Sequence, residues 1–380
     1  MDGEISVAPL ADLIEHKRMV ATRNAAGVRG VDTLLPAGGY ARPAPRAVDT
    51  AALDVDLRDT MRDILANARQ GYGPLRTATL KDAIVAGQGS VVTRDAHLVR
   101  DSATEFLAQD RPPDGFARAE AGRFRLTTPP PRRIEGTALL LKRPWWRNYG
   151  HWLVDSAATL ALAARMRLPA NWRIILGRQE SAPVRALVAQ TVALLAPGVA
   201  VLEHPDDEAW RVDDLIYPAP VHVPPLFKQP EGLAALRALV LRESLAAPAA
   251  HRRLFVSRGG HPARRLDNEA ALIAIAVEAG YEVVQPERLD LLGQGALFRA
   301  ASCVVGVKGA ALANIAFCAP GASVLVLSPG DFPDPFFWDL ACHAGATYAE
   351  LFGAVTARDR PRSHNPFRVD PDRFTELLPR

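Results

Sequence analysis

The spacing of apolar residues changes period many times along the chain. Residues 54–69, DVDLRDTMRDILANAR, put Leu57, Met61, Ile64 and Leu65 on one face at helical intervals, which predicts a short helix. Residues 75–145 read as strand-rich. Short β-favouring runs in TLKDAIVAGQGSVVTRDAHLV are parted by Gly-Gln-Gly and Arg-Asp-Ala turns, and GTALLLKR from Gly136 reads as a buried strand. A long helix is expected from about Gly150, with Val154, Ala158, Leu160, Leu162 and Met166 on its apolar faces. Strand WRIILG from Trp172, a helix from Ala182, and strands from Val199 and Val212 follow. The Pro-rich segment PAPVHVPPLFKQP from Pro218 reads as a linker. Beyond it the alternation resumes: a helix from Glu231, strand RRLFVSR from Arg252, helix LDNEAALIAIAVEAG, strand YEVVQP, a short helix from Leu291, strand CVVGV, helix AALANIAF and strand SVLVLS.

Alternating strands and helices predict an α/β protein with parallel sheets. Two such blocks separated by a Pro-rich linker predict two Rossmann-like parallel-sheet domains facing a cleft, with a strand-rich N-terminal segment. The expected division is an irregular or helical leader over 1–70, a first domain over 71–225, a second over 226–354, and a tail over 355–380 packing back on the first domain.

Composition narrows the choice. The chain has 380 residues, enough for two or three domains and for a core that needs no disulfide or metal staple. A net charge of +3, from 45 basic and 42 acidic residues, is too balanced for a protein that coats nucleic acid. Three cysteines (Cys303, Cys318, Cys342) form no CxxC pair and fit a reducing compartment. The acidic start MDGEISVAPLADLIEHKR lacks the basic n-region of a signal peptide, and no apolar run is long enough to cross a membrane. A cytoplasmic protein is expected, peripheral to the inner face of the plasma membrane through partners.

Common nucleotide fingerprints are missing. There is no GxxxxGK[ST], Gly293-Gln-Gly295 lacks the third glycine of a dinucleotide motif, and no GxSxG elbow occurs. No His/Cys/Asp cluster has structural zinc spacing. Three segments remain. In CVVGVKGAALANIAF a strand gives way at Lys308, Gly309 and Ala310 to a helix whose first N–H groups could meet a diphosphate, with Lys308 as an added charge or simply a surface lysine. In LFVSRGGHPARRLDNEAAL, Ser257 and Arg258 end a strand, where ligands of open α/β sheets bind. Arg264 and Arg265 lie in the next loop, and Asp267 or Asn268 is placed to cap the following helix. In NYGHWLVDSAATL, His151 and Asp155 are four residues apart and share a helix face, as a general base and its orienting partner would. Trp145, Trp146, Tyr149 and Trp152 crowd this point and suit either sugar stacking or a core.

In order and spacing, these segments resemble glycosyltransferase family 61, which includes bacterial capsule and exopolysaccharide enzymes. The resemblance runs over about 75–375 and includes the YEVVQPE stretch and the tail SHNPFRVDPDRF. It implies a GT-B architecture and an inverting transfer from a nucleotide sugar, a UDP-sugar, to an oligo- or polysaccharide acceptor, with no metal required. On that pattern the second domain holds the donor. Arg258 would meet the diphosphate, with Ser257 and Arg265 also among the donor-binding residues, and Lys308, Gly309 and Ala310 would lie near the phosphates or ribose, with Asn314 on the same helix and Glu287 near the nucleoside. His151 and Asp155 would act on the acceptor, and the sequence does not decide which is the base. The family usually carries His where this chain has Lys308. The rival readings are an inactive member that only binds nucleotide or glycan, and a structural partner in a polysaccharide-assembly complex.

Overall fold

In the first block the Gly87–Gly89 turn, with φ of 54° and 97° at its two glycines, folds the chain back between strands Leu75–Ala86 and Ser90–Val92. Left-handed backbone of this kind is open to glycine at little cost. This computed structural model describes residues 4–9, 27–225, 227–244 and 251–380. The chain divides into two units: Met1–Gly38 with Tyr72–Val223, and Gly39–Gly71 with Pro224–Arg380. Positions 1–3 and 10–26 of the expected leader, and the last residues of the helix expected from Glu231, lie outside the described residues.

The first unit is built on a nine-stranded sheet. Ala209–Pro218 runs antiparallel to Leu75–Ala86 and parallel to Arg132–Leu140, after which Arg173–Gly177 and Ala200–His204 continue the parallel half. Ala138, Leu140, Ile175, Val212 and Leu215 form its core. The expectation of a Rossmann-like parallel sheet is therefore corrected. Half of this sheet is made by antiparallel pairing, partly through short turns and partly between strands far apart in sequence, as where Ala209–Pro218 meets Leu75–Ala86.

The second unit follows the expected alternation closely. Strands Glu282–Val284, Arg252–Val256, Ala301–Val307, Ser323–Pro329 and Thr347–Val355 lie side by side in that order, all parallel. Their buried runs (Leu254, Phe255, Val304, Val305, Leu325, Val326, Leu327) are continuously apolar, as strands covered on both faces must be. Strand order reverses between Arg252–Val256 and Ala301–Val307, a topological switch point.

Two boundary expectations are overturned. The leader is not irregular or helical throughout: Val28–Leu35 is a strand on Leu75–Ala86, and Ala47–Asp49 pairs with Thr347–Val355 in the second unit. Gly30 and Asp32 interrupt the apolar alternation of the first strand, which hid it. The tail, expected on the first domain, belongs to the second unit. Phe367, Val369 and Phe374 are buried in the second unit's core, Phe367–Arg368 pairs with Thr347–Val355, and Phe374 meets Phe255 edge-on at 6.4 Å. Asn268 binds the tail backbone at Val369 by both its amide groups and so gives its own helix no side-chain cap.

The second unit also buries charge. Asp339, 1% exposed, accepts from Tyr40 Oη at 2.7 Å, Arg42 Nε at 2.6 Å and Lys228 Nζ at 3.1 Å. Burial works to raise the Asp339 carboxyl, but Lys228 and Arg42 overcome this and hold it below its ordinary value. Its stabilisation is thus complete above the unfolded carboxylate pKa of about 3.9 and is lost as pH falls through the lower folded value. Asp339→Asn should cost about 3–5 kcal/mol at pH 7 by leaving buried cations uncompensated. Urea denaturation should show the deficit at pH 7 and a narrowing gap to wild type in acid.

Candidate functional sites

In the first unit, the chain leaves strand Arg132–Leu140 and enters a helix whose first residues carry polar chemistry. Asn148 caps it, its Oδ1 accepting from Gly150 N at 2.8 Å. The long α-helix expected here is instead a single α-turn, Tyr149–His151, followed by a π-helical stretch, Trp152–Ala157, and a short α-helix, Ala158–Ala161. Wide turns of this kind recur at functional sites. Ser156 ties the stretch to the strand end by donating to Leu141 O at 2.7 Å.

The expected His151–Asp155 pair is present, with Nδ1 to Oδ2 at 3.1 Å. A third residue joins it: His222 Nδ1 lies 3.0 Å from Asp155 Oδ1. Each carboxylate oxygen thus faces one imidazole. Burial works to raise the Asp155 carboxyl. The charge of His222 and the hydrogen bonds from both imidazoles outweigh it, holding the carboxyl well below the usual carboxylate range. An ionised carboxylate only accepts, so both Nδ1 atoms carry hydrogen. Side-chain exposure falls from 25% at His151 through 12% at Asp155 to 2% at His222, so His151 stands at the open end. Ligand atoms of the three lie within 4.8 Å of one another, so the group could also hold a metal ion. Sequence spacing alone gave no such cluster, because His222 sits in the Pro-rich segment read as a linker.

In the second unit, Ser257 and Arg258 follow strand Arg252–Val256, and Lys308 and Gly309 follow Ala301–Val307, on either side of the switch point. Gly259, at φ 57°, turns the chain just after Arg258, and Ser257 Oγ accepts from its N–H at 3.1 Å. Gly309 makes room for Arg258: a Cβ there would lie 1.8 Å from Arg258 Nη1. Arg258 and Arg264 converge on one acceptor, Lys308 O, at 3.2 and 2.8 Å. Arg258 Nη2 donates to His261 Nδ1 at 3.0 Å, and Arg258 Nε is buried with no hydrogen-bond partner among the described residues. Burial, aided by Arg264, pushes the Arg258 guanidinium down to about 10 against the opposing pull of Glu269 and Glu287. Burial and the same two arginines also lower His261 and His364. Crowded, desolvated cations of this kind gain from an arriving anion.

Several expected donor residues do not join this cluster. Lys308 is 2% exposed, and its ammonium turns away from the loop mouth to Glu350 at 3.0 Å and to the carbonyls of Phe332 and Asp334 at 3.1 and 3.4 Å. It is a buried structural cation, since a lone charge there would need those partners. Arg265 turns to Asp267 at 2.8 Å, and Arg264 takes the inner place. Asn314 is buried against Gln294 Oε1 at 2.6 Å and bridges two helices. The turn from Ala310 is a 3-10 helix, Ala310–Phe317, in place of the expected α-helix. Glu287 is near enough for its charge to act on Arg258. His261 and His364 carried no signal in the sequence beyond lying near arginines. The tail orders this loop, with Arg264 Nη1 donating to Ser363 O at 2.6 Å.

Among the described residues no helix is long and apolar enough to cross a membrane. No curated protein matches the chain. The family model described as Glycosyltransferase 61 matches residues 149–325, a stretch that includes His151, Asp155, His222, Arg258, Arg264 and Gly309. Over that stretch, which runs from the histidine-bearing turn to the strand beyond the switch point, this chain is similar to glycosyltransferase family 61.

Proposed function

We propose that the protein is an inverting glycosyltransferase of the GT-B type, moving a sugar from a nucleotide donor, a UDP-sugar, to a glycan acceptor in capsule or exopolysaccharide synthesis. The observation that carries this reading is that one family segment contains both the His151–Asp155–His222 chain and the Arg258–Gly309 seat at a switch point. The acceptor class rests on the family resemblance, and the cytoplasmic setting on three cysteines that form no CxxC pair.

The residues divide the chemistry. Asp155 is held too acidic to be a useful base, so its part is to orient His151 through Nδ1. His151 then takes the acceptor hydroxyl proton at Nε2 as that oxygen bonds to the anomeric carbon. The bond from that carbon to the diphosphate oxygen breaks, and its electron pair leaves with the nucleoside diphosphate. Arg258 and Arg264 stabilise the growing negative charge. His222, almost wholly buried, fixes the second oxygen of Asp155.

The clustered ligand atoms favour a second reading, in which His151, Asp155 and His222 hold a divalent cation. Turnover in the presence of EDTA separates the two. Unchanged rates fit the hydrogen-bonded chain, and loss restored by a divalent metal fits the ion.

Three sets of variants test the assignment. Arg258→Ala should weaken UDP binding at least tenfold by calorimetry, since charge-assisted bonds to a diphosphate contribute about 1.5–3 kcal/mol. Gly309→Ala should do the same with little change in melting temperature, because its Cβ displaces only the tip of Arg258. His151→Ala and Asp155→Asn should lower turnover by roughly 10²–10⁴ while UDP affinity holds. Wild-type turnover in these two variants would refute the base assignment. Lys308→Met should cost about 3–5 kcal/mol of stability in urea, through the unpaired Glu350 it leaves behind.

A further inference from the structure

Trp145 lies just ahead of the turn that carries His151, and its setting is unlike that of the tryptophan beside it. Trp146 is 3% exposed and packs over Gly177, whereas Trp145 is 42% exposed. Its φ is +63°, a left-handed conformation that a bulky side chain adopts only when its surroundings force it, at a cost of order 1–3 kcal/mol. Three hydrogen bonds do the forcing. The backbone N–H donates to Gln88 Oε1 at 3.0 Å, the indole N–H donates to the Glu105 carboxylate, and the carbonyl accepts from Asn148 N at 2.8 Å. Asn148 in turn caps the His151 turn, so the ring and the imidazole are held by one short piece of backbone. Glu105 is close enough that the charges of both His151 and Asp155 act on it.

Strain at a buried ring could be offset by packing. A residue 42% exposed gains less that way than a buried one, so the strained loop displays part of the indole instead of burying it. A saccharide ring offers an apolar C–H face with hydroxyls around its rim, and an aromatic face flanked by a carboxylate matches that chemistry.

We propose that Trp145, clamped by Gln88 and Glu105, is a stacking platform for a sugar ring of the saccharide substrate, with the Glu105 carboxylate placed to receive a hydroxyl at the ring's rim. Calling that saccharide the acceptor rests on the transferase reading above. The platform itself is a binding claim and is tested as one.

The test uses the full chain and a set of tetrasaccharide probes built from glucose, xylose, mannose or N-acetylglucosamine. Wild type is screened by calorimetry, and the tightest probe is titrated into Trp145→Gly and Trp145→Phe, with UDP titrated alongside. Glycine suits the left-handed backbone, so Trp145→Gly should melt no lower than wild type. It should nevertheless lose about tenfold or more in saccharide affinity, as truncated aromatic anchors do. Trp145→Phe keeps a ring but loses the bond to Glu105, and should fall between the two. UDP affinity should be unchanged in both variants. Saccharide affinity in Trp145→Gly equal to wild type overturns the platform, as does failure of the wild-type chain to bind any probe. Saccharide binding by wild type with no transfer defeats the transferase reading and leaves the platform standing. Transfer with an acceptor KM untouched in Trp145→Gly defeats the platform alone.

Discussion

A parallel strand cannot return to its neighbour by a tight turn, so the chain leaves its carboxyl end through a loop that starts a crossover. Backbone groups and side chains collect there without ladder partners, and both candidate sites of this protein lie at such ends. His151 and Asp155 follow strand Arg132–Leu140. Arg258 and Gly309 follow the two strands that flank the switch point of the second sheet. In each unit the sheet supplies a rigid base, and one short loop supplies the polar groups.

The two sites handle charge in opposite ways. At Asp155 a single anion is shared by two imidazoles, so the buried carboxylate is matched oxygen by oxygen. At Arg258 two guanidinium groups share one carbonyl, and Arg258 Nε is buried with no hydrogen-bond partner among the described residues. Crowded cations of this kind are the character expected of a site for an anionic ligand.

Sequence periodicity revealed the second sheet well, because strands buried on both faces are unbroken apolar runs, as in CVVGV and SVLVLS. It missed what is held by long-range contact. Val28–Leu35 has a strand's place without a strand's clean alternation, and the tail owes its position to Phe367 and Phe374 finding the core. The His151–Asp155 pair was legible because both residues lie on one turn. His222 was not, since only the fold brings position 222 beside 155. Lys308 illustrates the opposite failure. Its place at a strand end suggested a ligand contact, and the acid that claims it, Glu350, lies on a different strand. Strand-end position tells where a backbone goes and leaves open which way a long side chain turns.

The interrupted second unit has a consequence for the order in which the protein forms. Its segment Gly39–Gly71 leaves the ribosome before most of the first unit, yet Ala47–Asp49 pairs with Thr347–Val355 and Arg42 finds Asp339, a residue 297 positions later. The first unit has all its residues once Val223 has been made. Through that whole interval, the early strand waits for Thr347–Val355 and Arg42 for Asp339. Closing so long a loop adds little to the equilibrium cost, because that cost grows only with the logarithm of length. It weighs instead on time, since contacts so distant in sequence form late and slowly. The arginine-bearing half of the protein is therefore the last to be completed on synthesis, and its waiting segment is the part of the chain most exposed to mispairing on the way.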